Sequence, residues 1–378
     1  MSITKTPDGQ YQVRVNYRDG VKYRQKTRTF KRKGEAASWE SRMRVDLDNG
    51  ADLTKRNVTF AGYFENWIAV YKTDSVSKHT NDMYLLSLKH LTNYFGATKL
   101  ADVRKDDYQK FMNEFGKNHG IATSRKTNQQ IRSAVQNALA DNVINRDFTF
   151  RVVITGDDPA PVEAKFLDLD DYHVLRRYLI DHADFEHMSS CMLLFQLETG
   201  CRFEEAAGMT WDNLDLDNGI VNICRQWSPK TQSFTKTKGN GQADGKVTIP
   251  APFCDFMHSL HQQAIDYFAD RPTSYEEVNP RQLVFFSKFS SILTNDGVNR
   301  ALQRMCHKLK IKEVTSHAMR HTHASVLIQN GSVLPYVQHR LRHRKLETTI
   351  NTYVHLIEKT NGTSDQLAMK LMSEGFEK

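Results

Sequence analysis

Cysteine is scarce and scattered. The 378 residues hold five (Cys191, Cys201, Cys224, Cys254, Cys306), an odd number with no C-x-x-C pair. That argues against a disulfide framework or a cysteine-built zinc finger and for a reducing cytoplasm. No stretch approaches the 18 or more apolar residues of a membrane span, so no membrane partner is expected. The N-terminus, MSITKTPDGQ, has no apolar h-region, so no secretory signal is expected either. Internal repeats and low-complexity tracts are absent. What is present is core material. The chain is 39% hydrophobic, with 20 Phe, 14 Tyr and 4 Trp, enough to exclude wholesale disorder and to furnish two or three domains.

Acidic residues are thin at one end. Residues 1–34 hold ten Lys/Arg against Asp8 and Asp19, a local excess equal to the +8 of the whole chain. Such asymmetry points to a basic head that meets a polyanion. Tyr11, Val13, Val15 and Tyr17 alternate with polar residues including Arg14, the pattern of a half-buried strand. Asp19-Gly20 suits a hairpin turn. Beyond it Lys22, Arg24, Lys26 and Arg28 share one strand face. Residues 2–6 supply a third strand. Ala36, Trp39, Met43 and Leu47 recur at helical spacing, which predicts a helix over the sheet. A small twisted sheet with a cationic face can lie in a DNA groove.

Two breaker segments divide the remainder: Asn49 to Asn57, and Thr155-Gly156-Asp157-Asp158-Pro159-Ala160-Pro161. Residues 58–154 read as helices. Residues 123–144 begin with a Thr/Ser cap and carry Ile131, Val135 and Leu139 on one face. Arg125, Lys126 and Arg132 lie near the opposite face, available to solvent or DNA. After Pro161, residues 168–180, 185–198, 251–269, 294–310, 317–330 and 333–342 have helical patterning. Ile220–Ile223 and Val247–Ile249 have strand patterning.

Four stretches of this third region concentrate cations and proton-transferring groups. They are Thr199-Gly200-Cys201-Arg202-Phe203-Glu204-Glu205, Thr235-Lys236-Thr237-Lys238, His317-Ala318-Met319-Arg320-His321-Thr322-His323, and Leu341-Arg342-His343 with Tyr353 ten residues on. Displacement at a phosphodiester builds negative charge on the non-bridging oxygens, which fixed arginines and imidazoles stabilise. A tyrosine hydroxyl is a competent nucleophile once its proton is managed. A lysine can protonate the leaving oxygen. Such chemistry needs no metal. The i,i+4 pairs His317/His321 and His339/His343 have zinc-compatible spacing, but Ala318 stands where H-E-x-x-H requires Glu, and no carboxylate cluster suggests paired magnesium ions.

These residues resemble the tyrosine recombinases, or phage integrase family, across most of residues 165–356. The family's R-x-x-E in a T-G-x-R context falls on Arg202 and Glu205, its K-T-K strand motif on Lys236 to Lys238, its H-x-x-R-H-T-H-A-S on His317 to Ser325, and its L-G-H on Leu341 to His343, with its nucleophile on Tyr353. The resemblance implies a multidomain, mainly α protein with small β-sheets. It would comprise an N-terminal three-stranded sheet plus helix (1–56, arm-type DNA-binding), a helical, SAM-like core-binding domain (57–156) and an α+β catalytic domain with a C-terminal tail (157–378). It implies Tyr353 as the attacking group of a 3′-phosphotyrosyl mechanism, Arg202 and Arg320 as the phosphate clamp with His343, His317 assisting proton transfer, Lys236 as general acid and Glu205 as an orienting residue. It implies double-stranded attachment sites as partners, a homotetramer on DNA, an excisionase or DNA-bending accessory factor, a nucleoid-associated life in a bacterial cytoplasm, and no cofactor. A type IB topoisomerase-like nicking-closing enzyme and a non-catalytic DNA-binding regulator are the alternatives.

Three features depart from the family pattern. Arg342 replaces a glycine. The loop after Lys238 is long, which leaves Lys238 as a rival to Lys236. The helical region closes on Asn145-Arg146 rather than Asn-Pro. His321 and His323 read as packing or hydrogen-bonded side chains, and the apolar tail positions Leu356, Ile357, Leu367, Met369, Leu371 and Met372 as a segment that packs on its own domain or, as the resemblance implies, on a neighbouring subunit.

Overall fold

A computed structural model describes residues 2–19, 22–48, 57–158, 166–229, 231–353, 369–370 and 372–373. The turn residue Gly20, the Lys22 side chain, residues 49–56, the Pro159–Pro161 cluster and the tail positions Leu356, Ile357, Leu367 and Leu371 lie outside the described residues. The chain divides into two compact units, Met1–Pro159 and Ala160–Lys378.

The first unit opens with an antiparallel sheet, β1 (Ser2–Lys5), β2 (Tyr11–Asp19) and β3 (Lys22–Phe30) in that order, followed by helix α1 (Lys33–Asp48). Val13, Val15, Ala36 and Met43 form its buried core, with Ile3, Tyr11, Tyr17, Phe30 and Trp39 packed around them. The register pairs Val13 with Arg28, Val15 with Lys26 and Tyr17 with Arg24. Directly paired residues point to the same side of a sheet. The cationic row of β3 therefore does not make a face of its own. It shares the side that α1 covers, and Arg24 and Arg28 are exposed there. The open side carries Gln12, Arg14 and Asn16 from β2 and Tyr23, Gln25, Thr27 and Thr29 from β3. Arg14 donates to the Gln12 amide oxygen at 2.9 and 3.1 Å, Gln25 donates to Asn16 at 2.9 Å, and Tyr23 is 80% exposed.

Four helices complete this unit: α2 (Phe60–Tyr71), α3 (Lys78–Phe95), α4 (Lys105–Gly116) and α5 (Ile121–Ala140). Their core gathers Phe60, Phe64, Trp67, Leu91, Phe95, Tyr108, Phe111, Ile131 and Val135 at helical spacing. Helix α5 starts at Ile121 behind Gly120, ahead of the Thr/Ser cap expected from the sequence. The reason is local. Asp157 returns its carbonyl to the Ile121 N–H at 2.9 Å, so the first orphan donor is satisfied by backbone and needs no hydroxyl. Asp157, expected in a linker, is thus tied to the α4–α5 turn.

The second unit is built on α6 (Leu169–His182) and α7 (Met188–Thr199). Helix α7 is buried nearly all round, as its run of apolar residues requires, and α12 (below) packs along it. Then come α8 (Phe203–Ala207) and five short strands: β4 (Leu214–Asp215), β5 (Ile220–Ile223), β6 (Gln226–Ser228), β7 (Ser233–Thr235) and β8 (Gly245–Thr248). Strands β4, β5 and β8 form one antiparallel sheet, and β6 pairs with β7. Helices α9 (Ala251–Ala269) and α10 (Tyr275–Val278), the β9 (Phe286–Ser287)–β10 (Ser291–Ile292) pair, α11 (Asn295–Leu309), α12 (Ser316–Gln329) and α13 (Leu334–Leu341) follow. Residues 346–353 are helical. No helix among the described residues is long and apolar enough to cross a membrane.

Candidate active site

Gly200 lets the chain turn into the site. Helix α7 ends there with φ 67° and ψ 17°. A Cβ would stand 2.8 Å from the His323 ring and 3.1 Å from Leu341, so only glycine fits. Its carbonyl accepts from Arg320 Nη1 at 2.7 Å. Two residues on, Arg202 precedes α8. Glu205 accepts from the Arg202 backbone N–H at 2.9 Å through Oε2 and from Arg202 Nη1 at 2.6 Å through Oε1. The R-x-x-E spacing is thus a helix start closed by its own ion pair.

Glu205 is fully buried, and Arg342 also donates to its Oε2, at 2.6 Å. Burial alone would raise the Glu205 carboxyl, but Arg342, Arg202 and the Arg202 N–H outweigh it and hold the group below the usual carboxylate range. Arg342 takes the left-handed conformation that a glycine would take, φ 57° and ψ 42°, as the cap of α13. A non-glycine residue is disfavoured there by about 1 kcal/mol. The buried bond to Glu205 offsets this. Gly245 makes room for it: a Cβ at that position would sit 3.0 Å from the Arg342 stem.

Arg320 is buried on α12 and donates to the Gly200 and Leu341 carbonyls. Desolvation, then Arg202 and Arg342, push its guanidinium down to about 9, still charged at neutral pH. Three guanidinium charges therefore stand around one carboxylate, a standing excess of positive charge that suits an anion. Arg202, Arg342, His343 and Lys238 line a cleft of about 270 Å³ on this cluster, with Arg344 and Thr348. His343 Nδ1 lies 2.9 Å from the Thr349 hydroxyl. Burial, then Arg320 and Arg202, lower its pKa to about 3. It is therefore neutral at physiological pH.

Tyr353 is 1% exposed, packed among Phe166, Ala324, Ile328, Val337 and Leu341. Burial raises its phenol above the ordinary value, opposed by Arg320. Its hydroxyl lies 2.9 Å from Nδ1 of His321. His317, one helical turn before His321, lies at the exposed start of α12. There desolvation, then Arg320, Arg202 and Lys238, lower its pKa. His323 meets its expectation as a hydrogen-bonded side chain: Nδ1 faces the Leu197 carbonyl at 2.8 Å and Nε2 accepts from Arg340 at 2.8 Å.

The structure thus joins Arg202, Glu205, Arg320, His343 and Tyr353 in one cluster. Of the lysine pair, Lys238 lines the cleft and Lys236 does not. Both lie past the end of β7, outside the strand expected for this motif, and Thr237 between them donates to Asp244 at 2.6 Å. Arg342, singled out in the sequence as standing where the family has glycine, keeps that backbone conformation and pairs with Glu205, and His321 is hydrogen-bonded, as its reading had it. Among the DNA-facing candidates on α5, Arg125 and Lys126 are exposed, while Arg132 lies 3.7 Å from Asp147.

Comparison with known proteins gives this cluster its class. The profile of the phage integrase family matches residues 165–360, and that of the phage integrase N-terminal SAM-like domain matches residues 59–116. The ICEBs1 integrase of Bacillus subtilis is 20% identical over 367 residues, covering 94% of this chain and 96% of its own. The Tn1549 transposon integrase, solved in complex with transposon right end DNA, superposes with a TM-score of 0.67 at 17% identity, covering 82% of this chain and all of that one. A lambda integrase tetramer bound to a Holliday junction gives a TM-score of 0.57 at 14% identity over 91% of this chain and 95% of that one. The chain is a tyrosine site-specific DNA recombinase. The chain belongs to the phage integrase family.

Proposed function

We propose that this recombinase cleaves double-stranded DNA attachment sites with Tyr353 as nucleophile, in a cluster where Arg202, Arg320 and Arg342 supply the charge that holds the scissile phosphate. The carrying observation is the excess of buried guanidinium charge over the single carboxylate Glu205, with the Tyr353 phenol close enough to Arg320 for each to shift the other's proton affinity. The phenol oxygen bonds to phosphorus, the P–O5′ bond breaks, and the 5′ oxygen leaves as a hydroxyl. The 5′-hydroxyl of a partner strand then displaces the tyrosine by the reverse route, so the bond energy is retained and ATP is unnecessary. Arg202 and Arg320 clamp the non-bridging oxygens. His343 adds a hydrogen bond there, and Glu205 fixes the two arginines bonded to it. Lys238 is favoured over Lys236 as the acid for the leaving oxygen because it lines the cleft.

Residues 1–56 act as the arm-type domain, 57–156 as the core-binding domain with Arg125 and Lys126 toward DNA, and 157–378 as the catalytic domain. In the head, Arg24, Lys26 and Arg28 meet phosphates, and the open sheet side, with Arg14, Gln12, Asn16 and Gln25, reads base edges, for which Arg, Asn and Gln are suited. The active assembly is a tetramer on two duplexes in the bacterial nucleoid, assisted by an excisionase or a DNA-bending protein. The test is a duplex bearing the cognate core site with a nick beside the scissile bond, so that the released fragment diffuses away. Wild type accumulates a covalent protein–DNA adduct, and Tyr353→Phe binds equally and accumulates none. Equal binding without adduct in wild type would instead make the chain a DNA-binding regulator.

A further inference from the structure

The tyrosine of a phosphoryl-transfer site must lose a proton as it attacks, and four imidazoles and one carboxylate surround the cluster. Most of them are unsuited to take it. Glu205 is held ionised by two arginines and is a weak base. His323 has both ring nitrogens engaged, one with the Leu197 carbonyl and one with Arg340. His343 has Nδ1 on Thr349 and a pKa of about 3. His317 has its pKa lowered by desolvation and by Arg320, Arg202 and Lys238, which weakens it as a base. His321 remains. It follows Arg320 directly on α12, its Nδ1 is 2.9 Å from the Tyr353 hydroxyl, and the two rings meet edge to face with centroids 5.9 Å apart. The His317 ring stands 4.9 Å from that of His321 and nearly perpendicular to it.

We propose that His321 is the catalytic base for Tyr353, and that Nδ1 takes the hydroxyl proton as the phenol oxygen attacks phosphorus. The proposal rests on the reading of Tyr353 as nucleophile. The O–H bond breaks as Nδ1–H forms, and the Oη–P bond forms as P–O5′ breaks. The lysine of the cleft gives its proton to O5′. In the second half the incoming 5′-hydroxyl returns a proton to the lysine, and the His321 imidazolium returns the other to the departing phenolate. Protons balance across the cycle without a co-reactant. The division of labour follows from α12 itself: consecutive residues place the phosphate-binding guanidinium and the base on adjoining sides of one turn.

A resting-state latch would use the same hydrogen bond, and the two roles have opposite kinetics. The experiment uses the full chain under single turnover on the nicked cognate duplex. One set of substrates has an ordinary scissile bond and the other a bridging 5′-sulfur, which leaves without needing a proton. With DNA binding by fluorescence anisotropy within about threefold of wild type, His321→Ala and His321→Gln should slow adduct formation by about 10²-fold or more on both substrates. Lys238→Ala and Lys236→Ala separate the acid role, since loss of the acid is relieved by sulfur. Adduct formation at the wild-type rate or faster in both His321 variants, relief of their defect by sulfur, or a 10²-fold loss on both substrates in His317→Ala but not in the His321 variants would overturn the proposal. If wild type forms no adduct, or Tyr353→Phe forms one, the nucleophile reading fails, and the base assignment with it.

Discussion

The head and the catalytic cluster are both cationic, yet their charges are arranged in opposite ways. In the head, Arg24 and Arg28 stand exposed, in a segment with almost no acids. In the cluster, Arg320 and Arg342 are buried and each is fastened to named oxygens: Gly200 and Leu341 carbonyls for one, Glu205 for the other. Exposed charge acts through counterion release and gives affinity that salt erodes. Buried, hydrogen-bonded charge is fixed before substrate arrives and acts on the barrier. On the function proposed above, the same residue type serves capture in one region and chemistry in the other.

The strongest way to break the comparison is to remove the counter-charge. Glu205→Gln leaves Arg342 buried without its anion and should destabilise the fold by about 3–5 kcal/mol, read by denaturant unfolding. The pH dependence follows from the same pair. Glu205 titrates below its unfolded value, so its stabilisation is present above the unfolded carboxylate pKa and is lost as pH falls through the folded one. Wild type should therefore lose stability below about pH 4, and Glu205→Gln should show a shallower acid slope. An identical slope would mean that the carboxylate is not held ionised.

Next in size, Arg320→Lys should lower the single-turnover cleavage rate about 10²–10³-fold at saturating DNA, with that rate insensitive to salt. A loss confined to binding would place Arg320 with the head rather than with the chemistry. Arg342→Gly should cost less. It relieves the left-handed backbone, worth about 1 kcal/mol, but forfeits a charged buried hydrogen bond, worth about 1.5–3 kcal/mol. A net destabilisation of about 0.5–2 kcal/mol is expected by thermal or denaturant melts. A stabilised variant would show that the arginine is tolerated rather than used.

The smallest effects fall on the head. Arg24→Ala and Arg28→Ala should each flatten the salt dependence of arm-DNA binding by about 0.9 in log–log slope. Arg14→Ala should alter the preferred sequence more than the slope. The reverse pattern in an equilibrium binding series would exchange the roles of the two sides of the sheet.

The legibility of the sequence follows the same division. Helices α6, α7, α9, α11, α12 and α13 were readable because each has an apolar stripe or run that must be buried. Arg202, Glu205, Arg320, His343 and Tyr353 were readable because motif order fixes them, and the fold gathers them. The side of the sheet on which Arg24, Lys26 and Arg28 fall was missed, although any two-residue turn near Gly20 pairs even positions of β3 with odd positions of β2, and so with Val13 and Val15. That His321 is hydrogen-bonded was legible, but its partner was not, because neighbours on a helix point in different directions and only the return of residues 346–353 brings the phenol to it. The Arg342 pairing was invisible because it joins positions 137 residues apart.

The most direct measurement is to digest the trapped protein–DNA adduct with protease and nuclease and identify the modified peptide by mass spectrometry. The nucleotide should be found on the phenol oxygen of Tyr353, attached through a 3′-phosphate. Recovery of the nucleotide on any other side chain, or through a 5′-phosphate, would contradict the account.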